Sequence, residues 1–420
     1  MKLNTLRKYY RIFRRYYHKL ILNRKFKNLY LYSYTKINKL PKIPYKNNFF
    51  GYYNITPFNA NGDVILCGTN NRTLPGKAFE DIKIILVKNK SNSIINISNS
   101  KSWNWQQGCM LQWFARNSSE IIYNTYSAID NLFYSEILNI STKQKKRINS
   151  TIYSISSDGT FGFTLNFSRL AKYRPDYGYF NKNYNLPDEN NSDGIYKIDI
   201  KNNNRYLFLS FNQIIAYKAD ITMEKAHHRV NHLDISPDNK NLIFLHRWVK
   251  DNNQYMRLLV TNCDNATLSL LHEDKMISHY SWINNFEIIC FCSSKEIKNR
   301  YRIFNLKKIG HVVILHNLPH QDGHPSISPD KKWILTDTYP DKAGFSNIYI
   351  YHLATKRKIL LLSAFQPLRY EGQLRCDLHP RWNLKGDKIS FDSSHTGFRN
   401  MFTITLDTNK LIDEYINVKR

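Results

Sequence analysis

Residues 324–340 read HPSISPDKKWILTDTYP. A short strand, a tight turn of the SPDxK kind and a second apolar strand follow one another here, because Ser, Pro and Asp favour turns while the flanking residues favour strands. The pattern returns as HLDISPDNKNLIFLHRW at 232–248 and as HPRWNLKGDKISFDSSH at 379–395. The chain is therefore built from a repeated strand–turn–strand unit.

Weaker copies of this unit begin at Tyr52, Leu111, Tyr153 and Tyr280, which brings the number to seven. Each copy is followed by a further β-rich stretch, and strand-rich repeats of roughly 45 residues are typical of propeller blades. We predict an all-β fold, a seven-bladed β-propeller over residues 46–420, with a short basic helical arm over residues 1–45. Six or eight blades are the alternatives.

Aligned copies share an apolar residue that ends the first strand. The seven anchors are Ile55, Trp113, Ile155, Ile235, Trp282, Ile327 and Trp382. Three positions earlier, the four C-terminal copies carry His232, His279, His324 and His379, whereas the others carry Tyr52, Met110 and Ile152. We expect the four imidazoles to ring one mouth of the central channel, where they can form a metal site because imidazole is the commonest metal ligand. The alternative is that each is an ordinary structural histidine.

Other polar residues are expected at the same mouth. Asp377 and Gln373 offer ligand oxygens close to His379 in the sequence. Arginines pair with carboxylates and flat aromatic rings stack on sugars, which makes several residues candidates for binding an acidic sugar. These candidates are Arg169, Arg174, Tyr177, Arg247, Arg375, His395 and Arg399. For any one arginine taken alone, a solvated loop charge is the simpler interpretation.

The charge of the chain is strongly positive and uneven. The 420 residues carry a formal net charge of +28, and the first 45 hold thirteen Lys or Arg and no acid. Leu6, Tyr10, Phe13, Tyr17 and Leu20 recur at helical spacing with basic residues on the other faces, which predicts a basic amphipathic helix. Such a helix suits an anionic membrane surface. Docking on the domain, disorder, nucleic acid and an organellar transit peptide are the alternatives.

Several classes of protein are disfavoured. The chain has no long apolar run, and its six cysteines form no CxxC pair, so we expect a cytoplasmic protein with reduced thiols, located at the inner face of the membrane. It contains no P-loop, GxGxxG or GxSxG motif, which argues against nucleotide hydrolysis and serine hydrolase chemistry. It also lacks a nucleic-acid-binding motif, so we expect no nucleic-acid partner despite the positive charge.

With these motifs and the segment RCDLHPRW at 375–382 in view, the chain resembles the oligogalacturonate-lyase-like β-propellers, a branch of the TolB/WD40-like group. The similarity covers residues 49–410. The resemblance implies a seven-bladed fold, a divalent metal, with Mn favoured, held by three histidines and one glutamine, and cleavage of uronate oligosaccharides by β-elimination. It makes His324 and His379 the best-supported ligands.

The chain departs from that family in residues 373–379, the segment that would carry metal ligands and is called the ligand loop below. The family has a Q-x-x-H-x-H arrangement, whereas QLRCDLH places Gln373 one residue farther away and Asp377 at the position of the middle histidine. We therefore predict a metal site of His324, His379 and Asp377 with Gln373 as a further candidate. His232 or His279 is predicted as the base. Arg247 and Arg399 are predicted to act in catalysis, and Arg169, Arg174, Tyr177, Arg375 and His395 to bind substrate.

This resemblance, together with the predicted site, implies a metal-dependent polysaccharide lyase acting on a uronate-containing glycan by β-elimination, linked to bacterial capsule or O-antigen metabolism. The expected partner is an anionic polysaccharide or glycolipid, with peripheral membrane contact through residues 1–45. The alternatives are another carbohydrate-active enzyme of surface-polysaccharide assembly, a glycosyltransferase or a hydrolase, or a non-catalytic glycan-binding propeller.

Overall fold

A computed structural model describes residues 2–21, 27–32, 34–38, 40–71, 81–116, 119–180, 191–407 and 410–411. The chain begins with helix α1 (Lys2–Ile21), followed by strands β1 (Leu29–Leu31) and β2 (Thr35–Asn38). The helix agrees with the predicted basic arm, although the side chains of residues 2–8, including Leu6 of the predicted apolar stripe, lie outside the described part. None of the described helices is long and apolar enough to cross a membrane.

The remaining strands follow in groups along the chain. The first two groups are β3 (Asn47–Phe49), β4 (Val64–Thr69), β5 (Ile82–Val87) and β6 (Ile94–Ser100), then β7 (Gln112–Trp113), β8 (Glu120–Ser127), β9 (Leu132–Asn139) and β10 (Lys145–Ile148). The third is β11 (Ser154–Ile155), β12 (Phe161–Leu165), β13 (Gly194–Asp199) and β14 (Asn204–Ser210), with helices α2 (Phe167–Tyr173) after β12 and α3 (Phe211–Ala216) after β14. The fourth is β15 (His227–Ile235), β16 (Asn241–Lys250), β17 (Asn253–Asn262) and β18 (Leu268–Glu273).

Three further groups complete the described strands. They are β19 (Ile277–Trp282), β20 (Glu287–Cys292), β21 (Arg300–Asn305) and β22 (Val312–Leu315), then β23 (Ser326–Ile327), β24 (Trp333–Asp337), β25 (Phe345–His352) and β26 (Lys358–Phe365), and finally β27 (Arg381–Trp382), β28 (Lys388–Ser393) and β29 (Asn400–Leu406). Short 3-10 turns lie at Phe114–Arg116, Ile221–Met223 and Gly372–Leu374. The architecture is an all-β, propeller-like fold with a short N-terminal helix.

Within the described residues the strands form six sheets. Neighbours within a group pair antiparallel, and β1 adds to the outer edge of the β23–β26 sheet. The last and first groups share one sheet of eight strands, because β29 meets β3 through a single parallel pair, Asn400 with Asn48. Strand β2 pairs with the later residues of β29 along the same edge, opposite β28. The two strands after α1 are thereby tied into the sheets that also contain the C-terminal residues.

The repeated turn has a side-chain basis. Ser236 Oγ donates to Asp238 Oδ1 at 2.6 Å and accepts the backbone N–H of Asn241 at 2.9 Å, which closes the loop between β15 and β16. Ser328 makes the equivalent bonds between β23 and β24, to the carboxylate of Asp330 and from the N–H of Trp333. Ser and Asp side chains stabilise such turns by bonding locally to backbone groups.

The predicted anchor residues end the innermost strands in six of the seven copies. These six are Trp113, Ile155, Ile235, Trp282, Ile327 and Trp382, each the last residue of its strand. The first copy was predicted incorrectly: Ile55 lies between β3 and β4, and the strand that pairs with β4 is Asn47–Phe49. Strand β3 ends at Phe49, and at Gly51 the backbone turns into the left-handed region (φ +115°), which favours glycine.

A buried ion pair in the last group of strands holds the segment that follows β3. Arg381 Nη2 lies 2.9 Å from Asp392 Oδ2, and Arg381 Nε donates to the carbonyl of Tyr52 at 2.8 Å. Asp392 accepts the backbone N–H groups of Phe50 and Gly51. The stretch after β3 is therefore held by the last sheet, and this positions it at the channel mouth.

Candidate functional site

The four histidines of the predicted column lie together. Ring centroids are 5.3 Å apart for His232 and His279, 4.1 Å for His279 and His324, and 4.2 Å for His324 and His379. All four side chains are buried. Tyr52, the residue of the first copy at the same predicted position, stacks on His232 at 5.5 Å. The column thus brings one residue from each of five copies into a single cluster.

Three groups in this cluster converge as metal ligands would. His324, His379 and Asp377 each offer one ligand atom, and these atoms lie within 4.8 Å of one another. Nε2 of His324, Nε2 of His379 and Oδ1 of Asp377 have no hydrogen-bond partner although they are buried. Buried polar atoms without partners are rare because each costs about 1–3 kcal/mol. The donor set therefore fits a divalent cation.

The other ring nitrogen of each histidine is fixed. His324 Nδ1 donates to Asp337 at 2.8 Å, and His379 Nδ1 donates to the carbonyl of Gly51. Asp337 also accepts the backbone N–H groups of His324 and His379. A metal-binding histidine usually donates its second N–H in this way, which orients the ring and leaves Nε2 free. Asp337 is thus a positioning residue for both rings.

The two rings differ in charge state. Burial and the positive charge of His324 hold the pKa of His379 well below 6.5, so this ring is neutral with a lone pair on Nε2. Burial also opposes the charged form of His324, but Asp337 more than offsets it and raises the pKa of that ring. Any cation bound here displaces a proton from His324 when that ring is charged.

The backbone at two of the histidines is unusual. His232 and His379 have φ values of +58° and +43°, in the left-handed region that residues with a side chain seldom adopt. Met110, at the same predicted position in the second copy, has a φ of +53°. Such conformations persist where the surroundings hold them, often at functional sites. At His232 the unusual conformation coincides with a shift in the pairing of β15 with β16, and at His379 the chain turns just before β27.

His279 is held by a carboxylate from the neighbouring copy. Its Nδ1 lies 3.0 Å from Ser278 Oγ and 3.4 Å from Asp322 Oδ1, and Ser278 Oγ donates to Asp322 at 2.6 Å. Tyr53 packs under the cluster, with its ring 5.5 Å from His279 and 5.3 Å from His324. Asp322 and Tyr53 were not among the predicted site residues.

A pair of arginines lies beside the histidines. Arg229 and Arg247 stand directly opposite each other on β15 and β16, and both are buried, with 4% and 8% of their surface exposed. Their Nε atoms have no hydrogen-bond partner. Burial and the nearby Arg247 and Arg174 lower the pKa of Arg229 to about 10. Like charges opposite each other are destabilising, so this pair suits an anionic ligand.

Arg247 was predicted, whereas Arg229 was missed. Its signal is the spacing in HHRVNH, which puts Arg229 three residues before His232. Of the two arginines, Arg247 acts on the histidines: burial, His279 and Arg247 together hold the pKa of His232 well below 6.5. His232 is therefore neutral, and its Nδ1 has no hydrogen-bond partner.

The predicted Arg174, Tyr177 and Arg375 form a network next to this pair. Arg375 Nε donates to Asp377 Oδ2 at 2.8 Å, its Nη1 pairs with Asp176, and its Nη2 donates to Tyr177 Oη at 3.1 Å. Arg174 Nε lies 3.1 Å from Asp176 Oδ1. The ring of Tyr177 is 5.6 Å from that of His232. Arg375 therefore orients Asp377, and its charge is already compensated.

Four predicted residues lie elsewhere. Arg399 gives its guanidinium to the backbone carbonyls of Trp105, Leu374 and Arg375, so it braces the ligand loop. The structure pairs Arg169 with Asp193 and packs His395 against Phe402. Gln373 lies half-buried in the turn Gly372–Leu374 that precedes Arg375.

Comparison with known proteins gives a result at the level of fold. No protein-family model matches the chain, and no curated protein matches its sequence. The structure is similar to oligogalacturonate lyase from Vibrio parahaemolyticus, with a TM-score of 0.61 at 12% identity, covering 90% of this chain and 96% of the other. The chain therefore shares the fold of that protein, as the predicted resemblance requires.

Two further structures match less well. An oligogalacturonate lyase in complex with manganese gives a TM-score of 0.46 at 9% identity, covering 87% of this chain and 99% of the other. Hydrazine synthase from Kuenenia stuttgartiensis gives 0.48 at 11% identity, covering 87% and 97%.

Proposed function

We propose that this protein is a metal-dependent polysaccharide lyase that cleaves a uronate-containing glycan by β-elimination. One observation carries the proposal: the buried residues His324, His379 and Asp377 bring ligand atoms within 4.8 Å of one another, and each has a buried nitrogen or oxygen without a hydrogen-bond partner. The adjoining arginine pair supplies the positive charge that an acidic sugar needs. The fold shared with an oligogalacturonate lyase supports the same function.

We propose a count of seven blades. The eight-stranded sheet is joined by only one parallel residue pair, between β29 and β3, and on either side of it the strands pair antiparallel. Divided there, it gives one blade of β3–β6 and one of β27–β29 with β2 as the outer strand. An N-terminal strand in the last blade closes the ring, which leaves no open edge between first and last blades.

The substrate carboxylate would pair with Arg247 and Arg229. Both guanidinium groups are buried, and both have Nε–H donors without a partner. Guanidinium binds a carboxylate through two parallel hydrogen bonds, which fixes the sugar ring as well as its charge. Tyr177 next to His232 offers a flat ring for the sugar face. The sugar is thereby oriented against the four histidines.

His232 is the proposed base. It is neutral because burial lowers its pKa, and its Nδ1 is without a partner, whereas Nδ1 of His279 is engaged by Asp322 and Ser278. His232 Nδ1 takes the C5 proton, the C4–O bond breaks with its electrons on the departing oxygen, and a C4=C5 double bond remains. The departing oxygen then takes up a proton from water, and His232 returns its own proton to the solvent. A divalent cation, with Mn favoured, would acidify the C5 proton by neutralising the carboxylate.

The test is turnover of a panel of uronate polymers by the manganese-loaded protein. Elimination creates a C4=C5 double bond, which is followed by ultraviolet absorbance and by product mass. His232→Ala is expected to lower kcat by at least about 100-fold, the size typical of a lost general base. The matched control is His227→Ala, an exposed histidine five residues away on β15, which is expected to retain activity.

Three outcomes would contradict the proposal. They are no unsaturated product from any uronate polymer with metal content verified, full activity of His232→Ala, and products heavier by one water. The last would indicate a hydrolase of surface-polysaccharide metabolism.

A further inference from the structure

Helix α1 lies on the propeller with its basic stripe facing inward. Arg15 Nη1 donates to the backbone carbonyl of Gln366 at 2.6 Å, and Arg15 and Arg11 both pair with the carboxylate of Glu371. One turn later the ammonium of Lys19 sits 4.3 Å from the ring centroid of Phe365. Residues at spacings of four share one helix face. The docked face is therefore the charged one.

The side chain of Arg15 is largely buried where α1 packs on the propeller. Only 16% of this side chain is exposed, and burial lowers its pKa. A Cβ added at Gly344 would lie 3.3 Å from the Nε and Nη1 atoms of Arg15, so the glycine leaves room for the guanidinium. Gly344 also has a φ of +86°, which favours glycine. The contact is thus specific to this pairing of helix and loop.

The opposite face of α1 is apolar and exposed to solvent. At 3.6 residues per turn, six residues from Tyr9 to Leu20 lie on the side away from Arg11, Arg15 and Lys19. They are Tyr9, Tyr10, Phe13, Tyr16, Tyr17 and Leu20, with exposures from 44% to 68%. A helix on a soluble protein normally buries this face, and a large exposed apolar patch marks an interaction surface.

We propose that this face inserts into the surface of an anionic lipid bilayer. Charge favours that partner, because the first 45 residues carry thirteen Lys or Arg and no acid, and each basic residue near an anionic leaflet contributes about 1 kcal/mol. The composition agrees, because four of the six exposed residues are tyrosines, whose amphipathic rings favour the headgroup region. An in-plane helix with an aromatic face and basic flanks is a typical membrane-surface element.

The position of α1 links the bilayer to the candidate site. The helix rests on residues 365–371, and the same loop continues through the turn Gly372–Leu374 to Arg375, Asp377 and His379. Membrane docking would therefore hold the ligand-bearing loop close to the lipid surface. A glycan attached to lipid fits this placement, an inference that rests on the proposed function, whereas the membrane docking itself does not.

The experiment is co-sedimentation of the full chain with lipid vesicles. One set is phosphatidylcholine alone and the other contains phosphatidylglycerol as well. We expect binding to the anionic vesicles, and a loss of at least about tenfold in partitioning for the variant Tyr9→Ser/Phe13→Ser/Tyr17→Ser. The matched control is Ile129→Ser/Leu132→Ser/Ile309→Ser, which removes exposed apolar residues, 55% to 97% exposed, away from α1 and should bind like the unaltered protein.

Four results would overturn the proposal. They are no binding by the unaltered protein to anionic vesicles, equal binding to both vesicle types, equal binding by the α1 variant, and an α1-dependent dimer in light scattering, which would assign the face to a second copy. Circular dichroism confirms that each variant is folded. The readout needs neither metal nor turnover, so failure of the lyase assay leaves the result on membrane binding intact.

Discussion

His324 and His379 differ from His228 and His246 in how their ring nitrogens are used. Arg257 Nε donates to Nδ1 of His246, Nε2 of His246 donates to Nδ1 of His228, and Nε2 of His228 donates to the carbonyl of Met223. Both ring nitrogens of His228 and both of His246 therefore have a hydrogen-bond partner. At the channel mouth, by contrast, both Nε2 atoms have none.

Both pairs are buried, so burial does not distinguish a binding site from a structural cluster. The distinguishing feature is the convergence of three potential ligands, His324, His379 and Asp377, each with an unpartnered buried atom. A closed chain of hydrogen bonds stabilises the fold, whereas an open set of lone pairs costs free energy until a ligand binds. Asp337 accepts a hydrogen bond from Nδ1 of His324 and so orients this ring. The other nitrogen, Nε2, stays available for a ligand.

The largest effect is expected from removing a ligand. His324→Ala or His379→Ala should weaken manganese binding by at least about 100-fold, since even changes to the groups that orient ligands cost 10–100-fold. Isothermal titration calorimetry measures this loss. His246→Gln, the control from the other pair, should bind manganese like the unaltered protein. Unchanged binding by both site variants would show that the open nitrogens are not ligands.

The second effect is on stability. His246→Leu leaves the Arg257 Nε–H and His228 Nδ1 without partners in the interior and should lower the free energy of unfolding by about 2–4 kcal/mol. Urea denaturation followed by circular dichroism gives this value. The exposed His227→Leu is the control, with an expected change within about 0.5 kcal/mol. A similarly small change for His246→Leu would mean that the closed chain is not stabilising.

The third effect is a dependence of stability on pH. Burial, then Arg257, then His228 and Arg229 hold the pKa of His246 well below 6.5. Below pH 6.5 the unfolded chain takes up a proton on this residue that the folded chain does not, so stability falls as pH falls. His246→Gln should reduce that fall by up to about 1.4 kcal/mol per pH unit. Urea titrations at several pH values measure it, and identical slopes would contradict the assignment.

The sequence predicted what is local and repeated. The anchors Trp282 and Trp382 end their strands because a short turn follows each of them and leads into the next antiparallel strand. The histidine column follows from that register, since equivalent positions around a propeller meet at the axis. The prediction for the first copy was wrong because the carbonyl of Gly51 accepts hydrogen bonds from His379 and Arg381, which belong to the last copy. The repeat pattern does not show this contact.

Contacts between segments that are far apart along the chain could not be predicted from the sequence. Asp337 and Asp322 act on histidines through contacts that strand spacing does not encode. Arg375 was predicted to bind a substrate carboxylate, but in the fold its guanidinium already pairs with Asp176 and Asp377. Helix α1 was predicted as amphipathic, yet periodicity alone cannot tell which face a fitted loop will hold, and Glu371 holds the basic one.

The smallest effect is expected within residues 373–379. It tests whether an unpartnered buried atom identifies a metal ligand. Asp377 Oδ1 is buried without a partner, whereas the amide of the half-buried Gln373 is not among the unpartnered buried atoms of the described residues. Asp377→Asn should therefore weaken manganese binding by about 10-fold or more, while Gln373→Ala should change it by less than about threefold. Calorimetric titration of the two variants side by side compares them. The reverse order of effects would make Gln373 the loop's ligand and would show that an open lone pair does not identify the metal-binding atom.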